Sequence, residues 1–363
     1  MTLILGLETS CDETAAAVVQ DGRFVLSNVV AAQHKLHERY KGVVPEIASR
    51  AHLQNINPVV HEAIAQAGLT LNDIDAIAVG HRPGLIGSLL VGVSAAKTLA
   101  WCLSKPLIGV DHVRAHLHAA TLVTKTASAP VSPDPGPLAF PALGLVVSGG
   151  HSSIYMMQSE NDLTLIGSTI DDAVGEAYDK AAVILDVGYP GGPKLDKLAQ
   201  QGDSSAHDLP RSMLSPDSLD FSFSGLKTAV LYTVRGHPKG RGNAARFERS
   251  AADLTDKQKT DIAASFQAAA VDAVILKLQR AVAHMTDNGN APRSLVIGGG
   301  VSANSLLRTR VTELGEKLNL AVRIPAFAYC LDNAAMIAGL AHTRYIQNDF
   351  DNLDLPALAS GSL

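Results

Sequence analysis

The sequence predicts an α/β protein built from two similar halves, and three observations lead there. A pattern of strand, turn, strand and strand, then alternating helices and strands, occurs twice along the 363 residues. The apolar residues make up 47% of the chain and are mostly Ala, Val, Leu and Ile, with aromatics at 4%. Such a set suits buried sheets covered by helices. Finally, several apolar strands end in glycine-rich turns. The length accommodates two ordinary domains, each with its own core.

In order, TLILGLETS reads as a strand entering a turn, DETAAAVVQDG as a second strand closing at Asp21-Gly22, and Arg23 to Ala31 as a third. Ile47 to Ala67 reads as a helix, with Ile47, Ala51, Ile56, Val60 and Ile64 on one stripe; that face is expected to be either core or a dimer surface. DIDAIAVG (73–80) is a buried strand and PLIGVDH (106–112) another, ending on His112. Between them, Leu85 to Leu103 is apolar but punctuated by Gly87, Ser88, Gly92, Ser94 and Lys97, which reads as a buried helix and not as a membrane span. Residues 124–141 hold five prolines and form an expected exposed connecting loop. The pattern then restarts with LGLVVSGGHSSIYMMQ and LTLIGSTI, three strands, followed by helices at 171–186, 192–201 and 258–285. SLVIGGG (294–300) is a strand, with a helix from Ser302. The expected division is residues 1–123 plus about 330–363 as one domain and 142–329 as the other.

A net charge of −5 and a pI near 6.2 argue against a protein that grips nucleic acid alone by neutralising phosphates. Any RNA contact needs a local basic patch or basic partners. Arg235, Lys239, Arg241, Arg246, Arg249, Lys257 and Lys259 offer one such segment, or a solvated loop. Three scattered cysteines, Cys11, Cys102 and Cys330, without CxxC spacing, fit reduced thiols in a cytoplasm. The N-terminal stretch has no basic region before its short apolar run and is not expected to be a signal peptide.

Three glycine turns carry extra chemistry. Gly6 to Thr14 gathers Glu8, Asp12 and Glu13 with hydroxyl residues at one hairpin tip; clustered carboxylates destabilise one another unless they handle a cation or a proton. Asp12 is the expected catalytic base. In Val146-Val147-Ser148-Gly149-Gly150-His151 the glycines let backbone N–H groups approach an anion. Gly298-Gly299-Gly300, between a strand and a helix, clears room for a nucleotide. No GxxxxGK[ST] occurs, which excludes a P-loop NTPase. Together these turns resemble those of the actin/Hsp70/sugar-kinase superfamily. That likeness implies two actin/Hsp70-like domains, each a mixed five-stranded sheet flanked by helices, with the active site in the cleft between them.

His112 and His116 stand four apart in DHVRAHLH, one face of a helix, a spacing that lets both bind one metal ion. The alternative is a pair of surface or capping histidines. The glutamate of an HExxH metallopeptidase is missing between them. Asp332, at the start of an apolar helix, is the candidate third ligand, with helix N-capping as the other reading. Two histidines and a carboxylate suit Fe(II) or Zn(II).

GLETSCDET, KLHERYKGVVPEIASRAHL, DHVRAHLHA, LVVSGGH, DDAVGEAYDK, YPGGP, LDFSFSGLKT, GGGVSAN and LDNAAMIA occur in this order and closely resemble the bacterial tRNA N6-adenosine threonylcarbamoyltransferase family, formerly labelled O-sialoglycoprotein endopeptidases. The resemblance implies transfer of threonylcarbamoyl from threonylcarbamoyl-AMP to N6 of the adenosine 3′ of the anticodon. It implies one metal ion, usually iron, on His112, His116 and Asp332. Substrate contacts map onto Val146, Val147, Ser148, Gly149, Gly150, Asp179, Gly192, Asp196 and Asn304. Implied partners are tRNA, a smaller paralogue of similar fold and a P-loop ATPase. A small-molecule kinase or carbamoyltransferase of the same superfold is the alternative, and a metallopeptidase a more distant one. Arg82-Pro83-Gly84 and CLDNAAMIA depart from the family's usual GPG and CTDNGAMIA without removing a ligand.

Overall fold

The computed structural model describes residues 1–40, 42–125, 136–188, 190–212, 214–215, 217–240 and 246–360. Most of the proline-rich connection, Tyr189 of YPGGP and Arg241 of the basic segment lie outside the described residues.

Strands β1 (Leu3–Glu8), β2 (Glu13–Gln20) and β3 (Phe24–Ala32) form the expected antiparallel meander. A one-turn helix α1 (His34–His37) follows, then α2 (Pro45–Ala67). Strand β4 (Ala76–Arg82), helix α3 (Ile86–Leu103) and strand β5 (Leu107–Asp111) extend the sheet in parallel beside β1. Helix α4 (His112–His118) leads to β6 (Val123–Thr124). The sheet order is β5-β4-β1-β2-β3-β6, one strand more than expected. The addition is a two-residue pairing of Val123 and Thr124 with Phe24 and Val25, too short to leave a sequence pattern.

The second half repeats the plan. Strands β7 (Ala142–Val147), β8 (Ser152–Met157) and β9 (Leu163–Ser168) form a meander. Helices α5 (Val174–Ile184), α6 (Gly191–Ala199), α7 (Ser224–Arg235) and α8 (Asp256–Asp287) follow. Strand β10 (Ser294–Gly298), helix α9 (Ser305–Leu318) and strand β11 (Ala321–Arg323) complete a five-stranded sheet of order β11-β10-β7-β8-β9. Helix α7 had no counterpart in the sequence reading. The helix expected from Ser302 begins at Ser305, after a 3-10 turn over Gly300–Ala303.

Each sheet has helices on both faces. On the first, α2 and α3 bury Ile56, Val60, Val93 and Ala96 against Leu5, Leu7 and Val79. The stripe read on α2 is therefore mainly core. Helix α3 is long and apolar enough to cross a membrane, yet its Leu89, Val93, Ala96 and Ala100 are buried.

The last helix, α10 (Ala334–Tyr345), returns to the other face of the first sheet. Its close crossing of β1 requires Gly6, where a Cβ would stand 2.5 Å from the Ala334 carbonyl oxygen. Helix α4 lies between the two sheets. Ala115 and Ala119 pack into the first sheet's core, and Val113 and Leu117 pack against Val146 and Tyr155 of the second. Burying a leucine such as Leu117 contributes about 1.5–3 kcal/mol, and here it anchors the helix that carries the histidine pair.

Candidate metal centre and nucleotide cleft

Asp111 ends β5 and caps α4, its carboxylate accepting from the N–H groups of Val113 and Arg114 at 3.0 and 3.1 Å. His112 is thereby the first helical residue and His116 lies one turn on, their ring centroids 4.7 Å apart. Asp332 arrives from the far end of the chain. Its Oδ1 is 3.2 Å from Nε2 of His116 and 3.6 Å from Nε2 of His112. The N-cap of α10 is Asn333, whose side chain accepts from the Met336 N–H at 3.0 Å. The capping reading of Asp332 gives way to this neighbour, and Asp332 is left facing the histidines.

The donor chemistry fits a metal ion. His116 is fully buried, its Nδ1 has no hydrogen-bond partner and its Nε2 meets only Asp332, a pairing that a bound ion would complete. One donor atom each from His112, His116 and Asp332 fall within 4.8 Å of one another, so the three residues could hold a single ion. Burial lowers the His112 pKa, but the charges of Asp332 and Glu8 outweigh it and push the ring up to about 9. Burial raises Asp332, and the two histidines more than reverse this, holding it well below the usual carboxylate range. The site without an ion is thus strongly polarised.

Behind His112 stands Glu8, at the end of β1 and fully buried. Its Oε2 is 3.1 Å from His112 Nδ1, and Ser10 Oγ is 3.1 Å from the same nitrogen. A carboxylate there accepts the Nδ1 proton, and with an ion bound the Nε2 lone pair would lie on the Asp332 side, the usual backing of a metal-bound histidine. Sequence reasoning counted Glu8 among the clustered acids but gave it no role.

Asp12, in the turn after β1, is nearly buried. Its Oδ2 lies 3.5 Å from Nδ1 of His34. Burial raises its pKa, while the side chains of His34 and Cys11 bring it below the ordinary value.

The second glycine turn closes on itself, Ser148 N–H donating to the His151 carbonyl at 2.8 Å and His151 N–H to Ser148 Oγ at 3.1 Å. Gly149 and Gly150 are exposed, and no atom lies within 4 Å of where a Cβ would sit on either. Burial, and then the charges of His112 and His116, push His151 down to about 4. Val146 and Val147 are fully buried in opposite cores, so only their backbone is available to a substrate. At the third turn, a Cβ on Gly298 would collide with the His116 carbonyl oxygen, and one on Gly299, at φ +89°, with that of Val147. The third turn is therefore packed against both the histidine helix and the second turn.

The remaining expected contacts form an adjoining wall. Asp179 accepts from the Gly191 N–H at 2.9 Å at the start of α6, and Gly192 beside it is open. Asp196 accepts from Ser305 Oγ, Gln267 and Asn304 at 2.7, 2.9 and 3.2 Å. Asn304 caps α9 through Leu307 N–H and gives its amide to Gln267 and Asp196. Most of the polar capacity of Asp196 and Asn304 is thus used within the protein.

A sequence profile described as tRNA N6-adenosine threonylcarbamoyltransferase matches residues 24–339. The protein of that name from Moorella thermoacetica is 46% identical over 98% of this chain and 96% of its own length. The chain belongs to this family. The Rhodopirellula baltica member is 45% identical over 99% of this chain and 98% of its own. The region that matches the threonylcarbamoyltransferase profile contains α4 and Asp332.

Among solved structures, HypF from T. kodakarensis superposes with a TM-score of 0.58 at 16% identity, covering 98% of this chain and 49% of that one. The (R)-2-hydroxyglutaryl-CoA dehydratase component A from Acidaminococcus fermentans gives 0.50 at 14% identity, over 95% of this chain and all of that one. These likenesses concern the fold, which is the actin/Hsp70-like α/β architecture expected from the glycine turns.

Proposed function

We propose that this chain transfers the threonylcarbamoyl group of threonylcarbamoyl-AMP to N6 of the adenosine 3′ of the anticodon in tRNA. The observation that carries the reading is a His112–His116–Asp332 set, its histidines buried and its carboxylate partly exposed, beside an open glycine turn, in a chain of the threonylcarbamoyltransferase family. His112, His116 and Asp332 would hold a divalent ion, Fe(II) or alternatively Zn(II), which supplies Lewis-acid polarisation of the carbamoyl carbonyl.

The other steps fall to the chain. The strand-GGG-helix turn receives the adenine, and Asp179 with the open Gly192 faces the ribose. Asp196 and Asn304 hold that wall in place. In the transfer, the bond from N6 to the carbamoyl carbon forms as the bond from that carbon to the phosphate oxygen breaks. Asp12, kept ionised, takes the proton lost by the amine, and the backbone of Ser148, Gly149 and Gly150 receives the departing AMP phosphate. AMP is a good leaving group, so positioning contributes much of the rate.

With an acidic surface overall, much of the tRNA grip comes from partners in the cytoplasm, namely a smaller paralogue of similar fold and a P-loop ATPase. Nucleoside mass spectrometry of tRNA from cells depleted of this protein tests the reading. The modified adenosine disappears on depletion and returns with wild type but not with His112→Ala/His116→Ala. Unchanged modification after depletion overturns the proposal.

A further inference from the structure

Two large apolar side chains stand exposed in the short segment that leads into Asp332. Phe327, which opens a 3-10 turn over Phe327–Tyr329, is 67% exposed, and Leu331 is 54% exposed. The residues between them are anchored. Tyr329 and Cys330 are buried, and Tyr329 Oη lies 2.7 Å from Thr124 Oγ1. Leu331 rests against the third glycine turn, its Cδ2 3.1 Å from where a Cβ would sit on Gly300.

The Phe327 ring is held in place from beneath. The guanidinium carbon of Arg308, in the first turn of α9, stands 4.5 Å from the ring centroid, a cation–π contact. Arg308 is itself fixed, its Nη1 donating to the Ser302 and Pro325 carbonyls at 3.0 and 3.1 Å. One face of the ring therefore lies on a locked cation, and the exposed area belongs to the other face and the edge. A scattered surface phenylalanine needs no explanation. This one is oriented in advance, has a positive charge under it, and precedes the candidate ligand Asp332 by five residues.

We propose that Phe327 stacks on the nucleobase next to the target adenosine in the anticodon loop, with Leu331 closing one edge of that seat. The inference rests on the transfer reaction proposed above. N6 of an adenosine inside a stacked loop cannot meet an adenylate held within the cleft, so the target base must leave its neighbours. The neighbouring base then loses a stacking partner, and proteins that read single-stranded RNA replace such a partner with an aromatic ring or a guanidinium plane. Here the two are layered, ring over guanidinium, and the cation also attracts the loop's phosphates. The adenylate is small enough to enter the cleft whole and has no need of a ring so open to solvent. A base still attached to a large loop does.

Steady-state transfer to a synthetic tRNA, by the full-length protein with its partners, separates this seat from the reaction itself. Ion content and the urea midpoint check the fold of every variant. Phe327→Ala raises KM for the tRNA about 5–100-fold, while KM for the adenylate and kcat at saturating tRNA stay as in wild type. Phe327→Tyr keeps the ring and restores the wild-type KM; Phe327→Leu keeps apolar bulk without a flat face and does not. An abasic nucleotide on the stacked side of the target adenosine removes the difference between wild type and Phe327→Ala. An unchanged KM for tRNA in Phe327→Ala, a change confined to the adenylate, or a difference that survives abasic substitution on either side overturns the proposal. Absence of transfer by wild type overturns the reaction, and this seat with it.

Discussion

Glu8 Oε2 lies 3.1 Å from Nδ1 of His112, so the end of the first strand sets the proton position on a ring contributed by α4. That contact fixes which nitrogen of His112 faces Asp332. Outer-shell carboxylates of this kind are worth about 10–100-fold in metal affinity. Glu8→Gln is expected to weaken binding at the His112–His116–Asp332 centre by that factor, read from competition with a chelating dye. Unchanged affinity would leave Ser10 as the partner that orients the ring.

Asp12→Asn removes the proposed proton acceptor but none of the three donors of the metal centre. Transfer in a reconstituted tRNA assay should fall by about 10²–10⁴-fold, with ion content at the metal centre unchanged. Loss of that ion in the variant would make Asp12 one of its ligands.

Asn304 caps α9 and gives its amide to Gln267 and Asp196. Asn304→Ala therefore costs about 1–3 kcal/mol of stability, from the cap and from the acceptors left unpaired. Urea denaturation should show the loss. A variant of wild-type stability with a raised KM for the adenylate would instead make Asn304 a direct substrate contact.

At Gly6 the obstacle to a side chain is backbone. An added Cβ meets the Ala334 oxygen at 2.5 Å and the Ala338 nitrogen at 2.8 Å. Gly6→Ala should cost about 1–3 kcal/mol as α10 is pushed off the sheet. Because Asp332 precedes that helix, affinity at the metal centre should fall together with the unfolding midpoint.

His52 and His81 supply a pH dependence. Burial lowers both pKa values below the ordinary 6.5. His52 bridges the first turn, Nδ1 2.8 Å from Thr14 Oγ1 and Nε2 3.0 Å from the Cys11 carbonyl. His81 Nδ1 lies 2.9 Å from the Pro356 carbonyl. With folded pKa values below unfolded ones, the unfolded chain takes up these protons first. Their contribution is complete above pH 6.5 and is lost as the pH falls through the folded values. Urea midpoints should drop between pH 7.5 and 5.5, and His52→Gln should reduce the drop.

The fold was legible where periodicity and turns are local. Both meanders, the helix after Leu85 and the strand that delivers His112 are written in contiguous residues, although that helix, expected to be buried, exposes Leu90 and Trp101. Helix α7 was not, because its buried Leu226, Val230 and Val234 make a thin stripe after a loop rich in Ser and Asp. In the site, the histidine pair was visible from its four-residue spacing. Asp332 stood as the candidate third ligand with capping as the equal alternative, since no local pattern tells the two apart, and the cap proved to be Asn333. Glu8 acquires its place behind His112 from strand position and long-range packing, which a linear sequence does not display.

The third glycine turn leans on the histidine helix, with no space between Gly298 and the His116 carbonyl. A nucleotide that displaces this turn must also move His116, and a metal that draws in His116 must reshape the nucleotide's seat. Thermodynamic linkage makes the effect mutual: whatever factor the ion applies to adenylate affinity, the adenylate applies to ion affinity. On the proposed reading, metal retention during purification would then depend on which nucleotide is in the buffer.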